Sequence, residues 1–208
     1  MRNLVIWGCG GHGRVILDIA NAMSVFDSIV FCDDSPDSPP IIAGVQVISG
    51  GISALSASAG IEFVIAIGAN HIRAERFAQA LSAGLRPALC IHPTAWISPS
   101  ASIGAGSVLM PRAVVQAGAV IGLNCIVNTG AIVEHDCAIG NHVHLSPSVT
   151  LGGSVRIEDY VHLGIGSVAI PGASVGRAAI VGAGAVVLGQ IEPGATAVGV
   201  PARIVHKK

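Results

Sequence analysis

A six-residue period that runs without a break through residues 95–187 constrains this chain more than any other feature of its 208 residues. An aliphatic residue, or alanine once, stands at Ile97, Ile103, Leu109, Val115, Ile121, Val127, Val133, Ile139, Leu145, Leu151, Ile157, Leu163, Ala169, Val175, Val181 and Val187. Two residues before each is a small or β-branched partner, from Ala95 through Cys125, Cys137 and Val155 to Ala185. Glycine often follows the aliphatic position, as in Ile103-Gly104, Ile121-Gly122 and Leu163-Gly164, and reads as a turn former. Side chains alternate faces along a strand, so positions i−2 and i share a direction, here inward. Six residues are too few for a helix plus a strand. The chain must therefore wind as short strands joined by corners, a β-solenoid whose stacked aliphatic positions form one continuous core.

The first half has a different rhythm. An apolar strand at residues 4–7 runs into Gly8-Cys9-Gly10-Gly11-His12-Gly13, and residues 14–23 carry helical apolar spacing at Val15, Ile16, Ile19, Ala20 and Met23. Strand, glycine turn and helix start form a unit that can cradle phosphate through free N–H groups and the helix dipole. The next strand, residues 28–32, ends in Asp33-Asp34, where a dinucleotide fold places an acidic residue beside the ribose. Gly8, Gly10 and Gly13 satisfy the G-x-G-x-x-G spacing, which also suits a tight turn that binds nothing. The roughly ninety residues before the solenoid are too few for both halves of a dinucleotide fold. After a Pro-rich connector at residues 35–40, a strand or hairpin is predicted at residues 45–48 and a weak helix at 52–59. A buried strand follows at 62–68, then a helix at 74–83 with Phe77, Ala78 and Leu81 inward, and a last strand at 87–91. These elements predict a small Rossmann-like α/β sheet over residues 1–91 and a β-helix with its tail over residues 92–208.

Charged residues make up only 11% of the chain and the net charge is −1, so no basic surface for nucleic acid or an anionic membrane is expected. Residues 113–133 lack charge over a length that could span a bilayer. Gln116, Asn124, Asn128, Thr129 and glycines in six-residue phase argue against a spanning helix. The N-terminus lacks a signal-peptide layout, which predicts a cytoplasmic protein. The five cysteines (Cys9, Cys32, Cys90, Cys125, Cys137) are odd in number and unclustered, and two fall at inward repeat positions, so neither disulfide nor metal is indicated.

Polar residues that the repeat does not require concentrate in one stretch. Residues 128–136 read N-T-G-A-I-V-E-H-D, with His142 and His144 soon after. Glu134, His135 and Asp136 follow the inward Val133 at a corner, where side chains can point out. A histidine beside carboxylates can be held in one tautomer and act as a base near neutral pH; the same string also suits a solvated corner. His162 has no assignment and reads as a solvated surface histidine. Near the end, Pro193-Gly194 and the string Gly199-Val200-Pro201-Ala202-Arg203 stop the coil, and Lys207-Lys208 form a basic tail.

The repeat resembles that of the hexapeptide-repeat acyltransferases, and the whole chain resembles their sugar O- and N-acetyltransferases, including those acting on UDP-4-amino sugars and perosamine. The resemblance implies a left-handed parallel β-helix with three hexapeptides to a coil, a handedness the pattern alone does not choose. It also implies a homotrimer with acetyl-CoA bound between adjacent β-helices and active sites shared by subunits. His135 would be the catalytic base, Asp136 its acidic support beside Glu134, and Asn128 a polar neighbour. His144 and Gly153 would face the thioester, with Gly172, Pro201 and Arg203 at the acetyl-CoA site. Gly8, Gly10, Gly11, His12 and Gly13 would meet the nucleotide diphosphate and sugar, and Asp33 and Asp34 the nucleoside. The expected reaction is acetylation of the amine of a nucleotide-linked amino sugar by direct attack on acetyl-CoA, without metal or acyl-enzyme. O-acetylation of a sugar or sialic acid would need the same base. A non-catalytic scaffold, or a carbonic anhydrase relative with zinc between subunits, is the reading of another class.

Overall fold

The structure, a computed structural model, describes residues 1–54 and 60–207. Two compact units divide it, Met1–Pro93 and Thr94–Lys208.

In the first unit the strands are β1 (Asn3–Trp7), β2 (Ser28–Asp33), β3 (Ile41–Ile42), β4 (Val45–Ser49), β5 (Ile61–Ile65) and β6 (Arg86–Pro87). They form one sheet in the order β3-β4-β2-β1-β5-β6, parallel throughout except for the β3–β4 hairpin. β1 is central and buried on both faces, as its unbroken apolar run requires. Val5 and Trp7 pack with Phe63, Ile65, Phe77 and Leu85, while Leu4 and Ile6 alternate to the opposite face.

Helix α1 (Gly11–Met23) starts within the glycine run, three residues earlier than predicted, and buries Ile16, Leu17, Ile19 and Ala20. Val15, expected inward, is 39% exposed. Helix α2 (Asn70–Ser82) starts four residues before its predicted beginning and buries Asn70, Arg73, Phe77 and Ala80. The expected inward Ala78 and Leu81 are exposed instead; two polar residues complete the buried stripe, which apolar periodicity cannot register. Gly84, at φ +79°, ends α2 with its N–H on the Leu81 carbonyl. The helix predicted over 52–59 lies largely outside the described residues; within them a single 3-10 turn spans Gly51–Ala54. The predicted strand at 87–91 divides into Arg86–Pro87 and Cys90–Ile91, with proline tolerated because β6 is an edge.

The second unit is the parallel β-solenoid. Within the repeat its strands are two residues long and end on the inward aliphatic position, as in Ile126–Val127, Ile132–Val133, Ala138–Ile139 and His144–Leu145. Up to Val168–Ala169 each pairs in parallel with the strand eighteen residues on, as Val108 does with Ile126 and Ile126 with His144. Three sheets result, one per face. A first face contains Ile126–Val127 and His144–Leu145, a second Ile132–Val133 and Thr150–Leu151, and a third Ala138–Ile139 and Arg156–Ile157. From Leu109 to Val187 every inward aliphatic position is buried. Each fully buried Val, Leu or Ile contributes about 1.5–3 kcal/mol, so stability accrues coil by coil.

Left-handed backbone recurs at the third residue after each inward position, at Asn124, Asp136, His142, Ser154 and Tyr160 among non-glycines. The glycines predicted as turn formers sit two residues earlier without positive φ. A Cβ at Gly122 would stand 2.5 Å from the Gly140 carbonyl oxygen of the next coil, so close approach between coils, rather than turn geometry, explains them.

Candidate active site

The corner between the second and third faces carries Glu134, His135 and Asp136. Asp136 occupies the left-handed corner position at φ +59°, a conformation in which Asp is enriched. From there its Oδ2 lies 2.9 Å from His135 Nδ1. The side chains are 60% and 67% exposed, so the pair adds little stability and acts through orientation. With Nδ1 donating to the carboxylate, the lone pair is left on Nε2. That nitrogen and Cε1 lie against the next coil: a Cβ at Gly153 would stand 2.5 Å from each. The Ser154 N–H donates to the His135 carbonyl at 2.8 Å and the Gly172 N–H to the Gly153 carbonyl at 2.9 Å. Glu134, His135, Asp136, Gly153 and Gly172 thus share one corner over successive coils.

Asn128 and His144 stand elsewhere on the same solenoid. Asn128 follows the strand Ile126–Val127 at the corner between the first and second faces, and His144 points out from the first face. The Asn128 side-chain Nδ2 is 3.3 Å from His144 Nε2, and the Asn128 Oδ1 accepts the Thr129 N–H at 2.8 Å. His162 is half-buried rather than solvated. Its ring stacks on that of His144 at 4.7 Å and 15°, and Ser146 Oγ lies 3.0 Å from its Nε2. The signal for it was the eighteen-residue spacing from His144, which makes the two direct neighbours in the ladder. Within one chain, then, the predicted site residues fall into two groups on different corners.

Pro201 and Arg203 are exposed at the C-terminal end, where Arg203–Lys207 pairs antiparallel with Ala195–Val198. Arg203 Nη1 donates to the Ala202 carbonyl at 3.2 Å. Lys208 lies outside the described residues.

In the first unit, α1 and β2 extend the sheet to one side of β1, and α2 and β6 extend it to the other side of β5. A topological switch therefore falls between β1 and β5, where open α/β sheets bind ligands. Gly8 lies there at φ +111°, and a Cβ on it would stand 2.9 Å from the Ala66 carbonyl oxygen. Gly13 touches Gly8, while Gly10 and Gly11 have open space around them. Asp33 accepts the N–H groups of Cys9 and Ser35, both at 3.0 Å. Burial alone would raise its carboxyl, and hydrogen bonding from the Cys9 side chain, the Cys9 and Ser35 N–H groups and the Ser38 side chain outweighs it, holding the group below the ordinary value. Asp34 accepts the Trp7 indole N–H at 3.1 Å and pairs with Arg76 at 2.7 Å. Both carboxylates therefore brace the loops around the crevice, a role the sequence did not reveal.

His12 is half-buried at the start of α1, its Nε2 shut off from solvent and without a hydrogen-bond partner. Burial, then the nearby Arg73 guanidinium, lowers its pKa to about 4. Arg73 is 1% exposed and donates to the carbonyls of Ile67 and Gly68 and to Asn70 Oδ1; neither it nor Arg76 was singled out from the sequence.

Among the described residues no group of His, Cys, Asp and Glu is placed to hold a metal ion, and no helix is long and apolar enough to cross a membrane. Burial pushes the thiols of Cys32 and Cys90 up to about 12, values unsuited to a nucleophile.

The PglD N-terminal domain family matches residues 3–80. Over 98% of this chain and 99% of its own, the acetyltransferase domain of PglB from Neisseria gonorrhoeae in complex with acetyl coenzyme A superposes with a TM-score of 0.92 at 38% identity. The chain belongs to the hexapeptide-repeat sugar acetyltransferases. A second member, PerB from Caulobacter crescentus, solved with CoA and GDP-perosamine, is 35% identical with a TM-score of 0.92, covering 99% of this chain and 98% of that one. A UDP-N-acetylbacillosamine N-acetyltransferase of Bacillus subtilis is 40% identical over 113 residues. The chain's matches span a quarter to about half the length of the curated relatives. Acetyl coenzyme A is bound in the PglB domain and CoA in PerB.

Proposed function

We propose that this sugar acetyltransferase transfers the acetyl group of acetyl-CoA to the amine of a nucleotide-linked amino sugar, in the cytoplasm. The carrying observation is the His135–Asp136 contact with Gly153 against the free face of the imidazole. The amine nitrogen attacks the thioester carbonyl carbon, the new C–N bond and the displaced π electrons giving a tetrahedral oxyanion while His135 Nε2 accepts the amine proton, and collapse of that intermediate breaks the C–S bond. The proton then passes from Nε2 to the departing CoA sulfur. Asp136 keeps Nδ1 protonated and the ring oriented, and stabilises the imidazolium while it lasts. The Gly153 N–H and His144 stabilise the oxyanion, a role worth about 3–4 kcal/mol per donor.

Two corners of one solenoid carry the two halves of this site, which supports a homotrimer in which Asn128 and His144 of one copy approach His135 of the next. The solenoid faces agree with such packing. Outward positions on the second face are Trp96, Val114, Ile132, Thr150, Val168 and Val186, nearly all apolar, whereas those on the third face include Ser102, Arg156, Ser174 and Gln190. The glycine crevice of the first unit takes the nucleotide sugar. Assay of acetyl-CoA with UDP-, GDP- and dTDP-linked 4-amino sugars, read by thiol release and product mass, is the test. Acetylation of at least one is expected; no acetylated product from any, with intact acetyl-CoA binding, would overturn the assignment.

A further inference from the structure

Two polar pairs at the edge of the first solenoid face repeat one relation a coil apart. Asn128 and Ser146 each follow an inward aliphatic residue, Val127 and Leu145, and each reaches the outward histidine sixteen residues on. Asn128 Nδ2 lies 3.3 Å from His144 Nε2, and Ser146 Oγ lies 3.0 Å from His162 Nε2. The orientation of the Asn128 amide is fixed, because its Oδ1 accepts the Thr129 N–H at 2.8 Å. Nδ2 can only donate, so His144 Nε2 accepts and the ring proton resides on Nδ1. Asn128 thereby selects the tautomer of His144, but a contact at one ring nitrogen does not by itself fix the plane of the ring.

The plane is set from the neighbouring coil. His144 stands in the ladder between Ile126 and His162; Ile126 is buried and both histidines are half-buried. The two imidazoles are 4.7 Å apart and inclined by 15°. That separation matches the roughly 4.8 Å between adjacent strands, so the rings rise with the ladder instead of tilting across it. Ser146 is 4% exposed, which makes it a rigid anchor for the ring of His162. One flat side of His144 therefore rests on an anchored aromatic ring, and Ile126 stands on the other side in the ladder.

We infer that His162, held by Ser146, is a positioning residue for acetyl transfer: it fixes the plane of the His144 imidazole at the thioester. This rests on the proposed function and extends it to two side chains that act through His144 rather than on the substrate. A ring that only filled space between coils would affect stability, whereas a ring that aims His144 affects turnover, and does so through His144 alone.

The experiment uses the full chain, with kcat and KM measured for acetyl-CoA and the accepted nucleotide sugar beside a thermal melt and proton NMR of the His144 ring in protein carrying labelled histidine. His162→Ala should lower kcat about tenfold, less than the roughly 10² that a 1 Å displacement costs, with the KM for the nucleotide sugar unchanged. Should His162→Ala not fold, His162→Leu, which keeps bulk without a flat ring, should show the same loss. His162→Phe restores a flat ring at the same rung and should recover kcat to within about threefold of the unaltered protein. Ser146→Ala should give part of the loss and add nothing to His162→Ala. In a His144→Ala background, His162→Ala should cost less than about twofold, since groups that act through one another are not additive. Independently of turnover, the His144 ring protons should lose a ring-current shift in His162→Ala and keep it in His162→Phe. Turnover of His162→Ala within about twofold of normal, a full loss that persists without His144, or a phenylalanine variant as slow as the alanine one overturns the inference while leaving acetyl transfer standing. Normal turnover of His144→Ala does the same. If the unaltered chain acetylates no nucleotide sugar, the proposed function falls and takes this inference with it.

Discussion

Replacing Gly153 by alanine probes the His135 corner at the level of one methyl group. The new Cβ would stand 2.5 Å from both Cε1 and Nε2 of His135. Comfortable contact lies at about 3.5 Å, so the ring must withdraw by roughly 1 Å. Nothing else resists the change, because Gly153 does not have positive φ and the His135 side chain, 60% exposed, can swing toward solvent. The fold should therefore lose less than about 1 kcal/mol. A catalytic group displaced by about 1 Å from its productive position loses on the order of 10² in rate, equivalent to about 2.7 kcal/mol of barrier. The assay pairs turnover at saturating acetyl-CoA and sugar with a thermal melt, in the unaltered protein and in a His135→Ala background. If alanine acts by moving the imidazole, it lowers kcat about a hundredfold alone but less than about threefold once the imidazole is gone, since groups acting as a unit are not additive. Near-normal turnover of Gly153→Ala, or a full loss retained on top of His135→Ala, would refute the reasoning.

His135→Ala itself should lower kcat by about 10² or more with acetyl-CoA binding nearly unchanged; near-normal turnover at neutral pH would assign the proton to another group. Arg2→Met removes the guanidinium whose Nε and Nη2 hold Glu62 at 2.8 and 2.9 Å, at a cost of about 1–3 kcal/mol at pH 7. In the unaltered protein Arg2 lowers the Glu62 pKa, so this stability is present above the ordinary carboxylate range and lost in acid below it. In the variant the lowering by Arg2 is lost, burial still raises the carboxyl and only the Arg86 charge opposes it, so the deficit between the two melts should shrink from pH 7 toward pH 4; a deficit that grows on acidification would contradict the pairing. A fragment of residues 94–208 should form a folded trimer that binds acetyl-CoA and has little affinity for nucleotide sugars. Undiminished nucleotide-sugar binding by that fragment in calorimetry would place the site wholly on the solenoid.

Much of the fold was legible because its strongest constraint is a pattern without exceptions. A six-residue column of aliphatic residues can be buried in only one way once the pleat is considered, and the observed strands end on those residues. The α/β unit was read less well where buried positions are polar. Asn70 and Arg73 complete the inner stripe of α2, and a stripe sought among apolar residues moves instead to Ala78 and Leu81, which are exposed. What makes an arginine acceptable there is a pair of backbone carbonyls from the preceding loop, partners that exist only once β5 and α2 are placed. Asp33 and Asp34 show the converse. Their position after a strand is legible, but whether a carboxylate waits for a ligand or already holds Cys9, Trp7 and Arg76 depends on contacts across tens of residues.

The candidate site was legible one residue at a time but not as a geometry, and the missing step is arithmetic in eighteens. Residues a full coil apart stack directly, as His135 does on Gly153 and His144 on His162. Separations of six or twelve move a residue to another face at a similar height. His135 is seven residues from Asn128 and nine from His144, which sets it on another corner, whereas Asn128 and His144, sixteen apart, are nearly one coil apart and meet at 3.3 Å. Linear proximity in such a chain is closeness along the axis, not around it. A base at His135 and polar groups at Asn128 and His144, if they serve one reaction, have to be joined across two copies at the same level. Such a joint agrees with the outward positions on the intervening second face, where Ile132 follows Val114 and only Thr150 adds a hydroxyl, in a stretch otherwise rich in polar corners. In the proposed homotrimer, burying that face and completing the site would be one physical event, so turnover is expected to fall with dissociation even though each solenoid holds its own core.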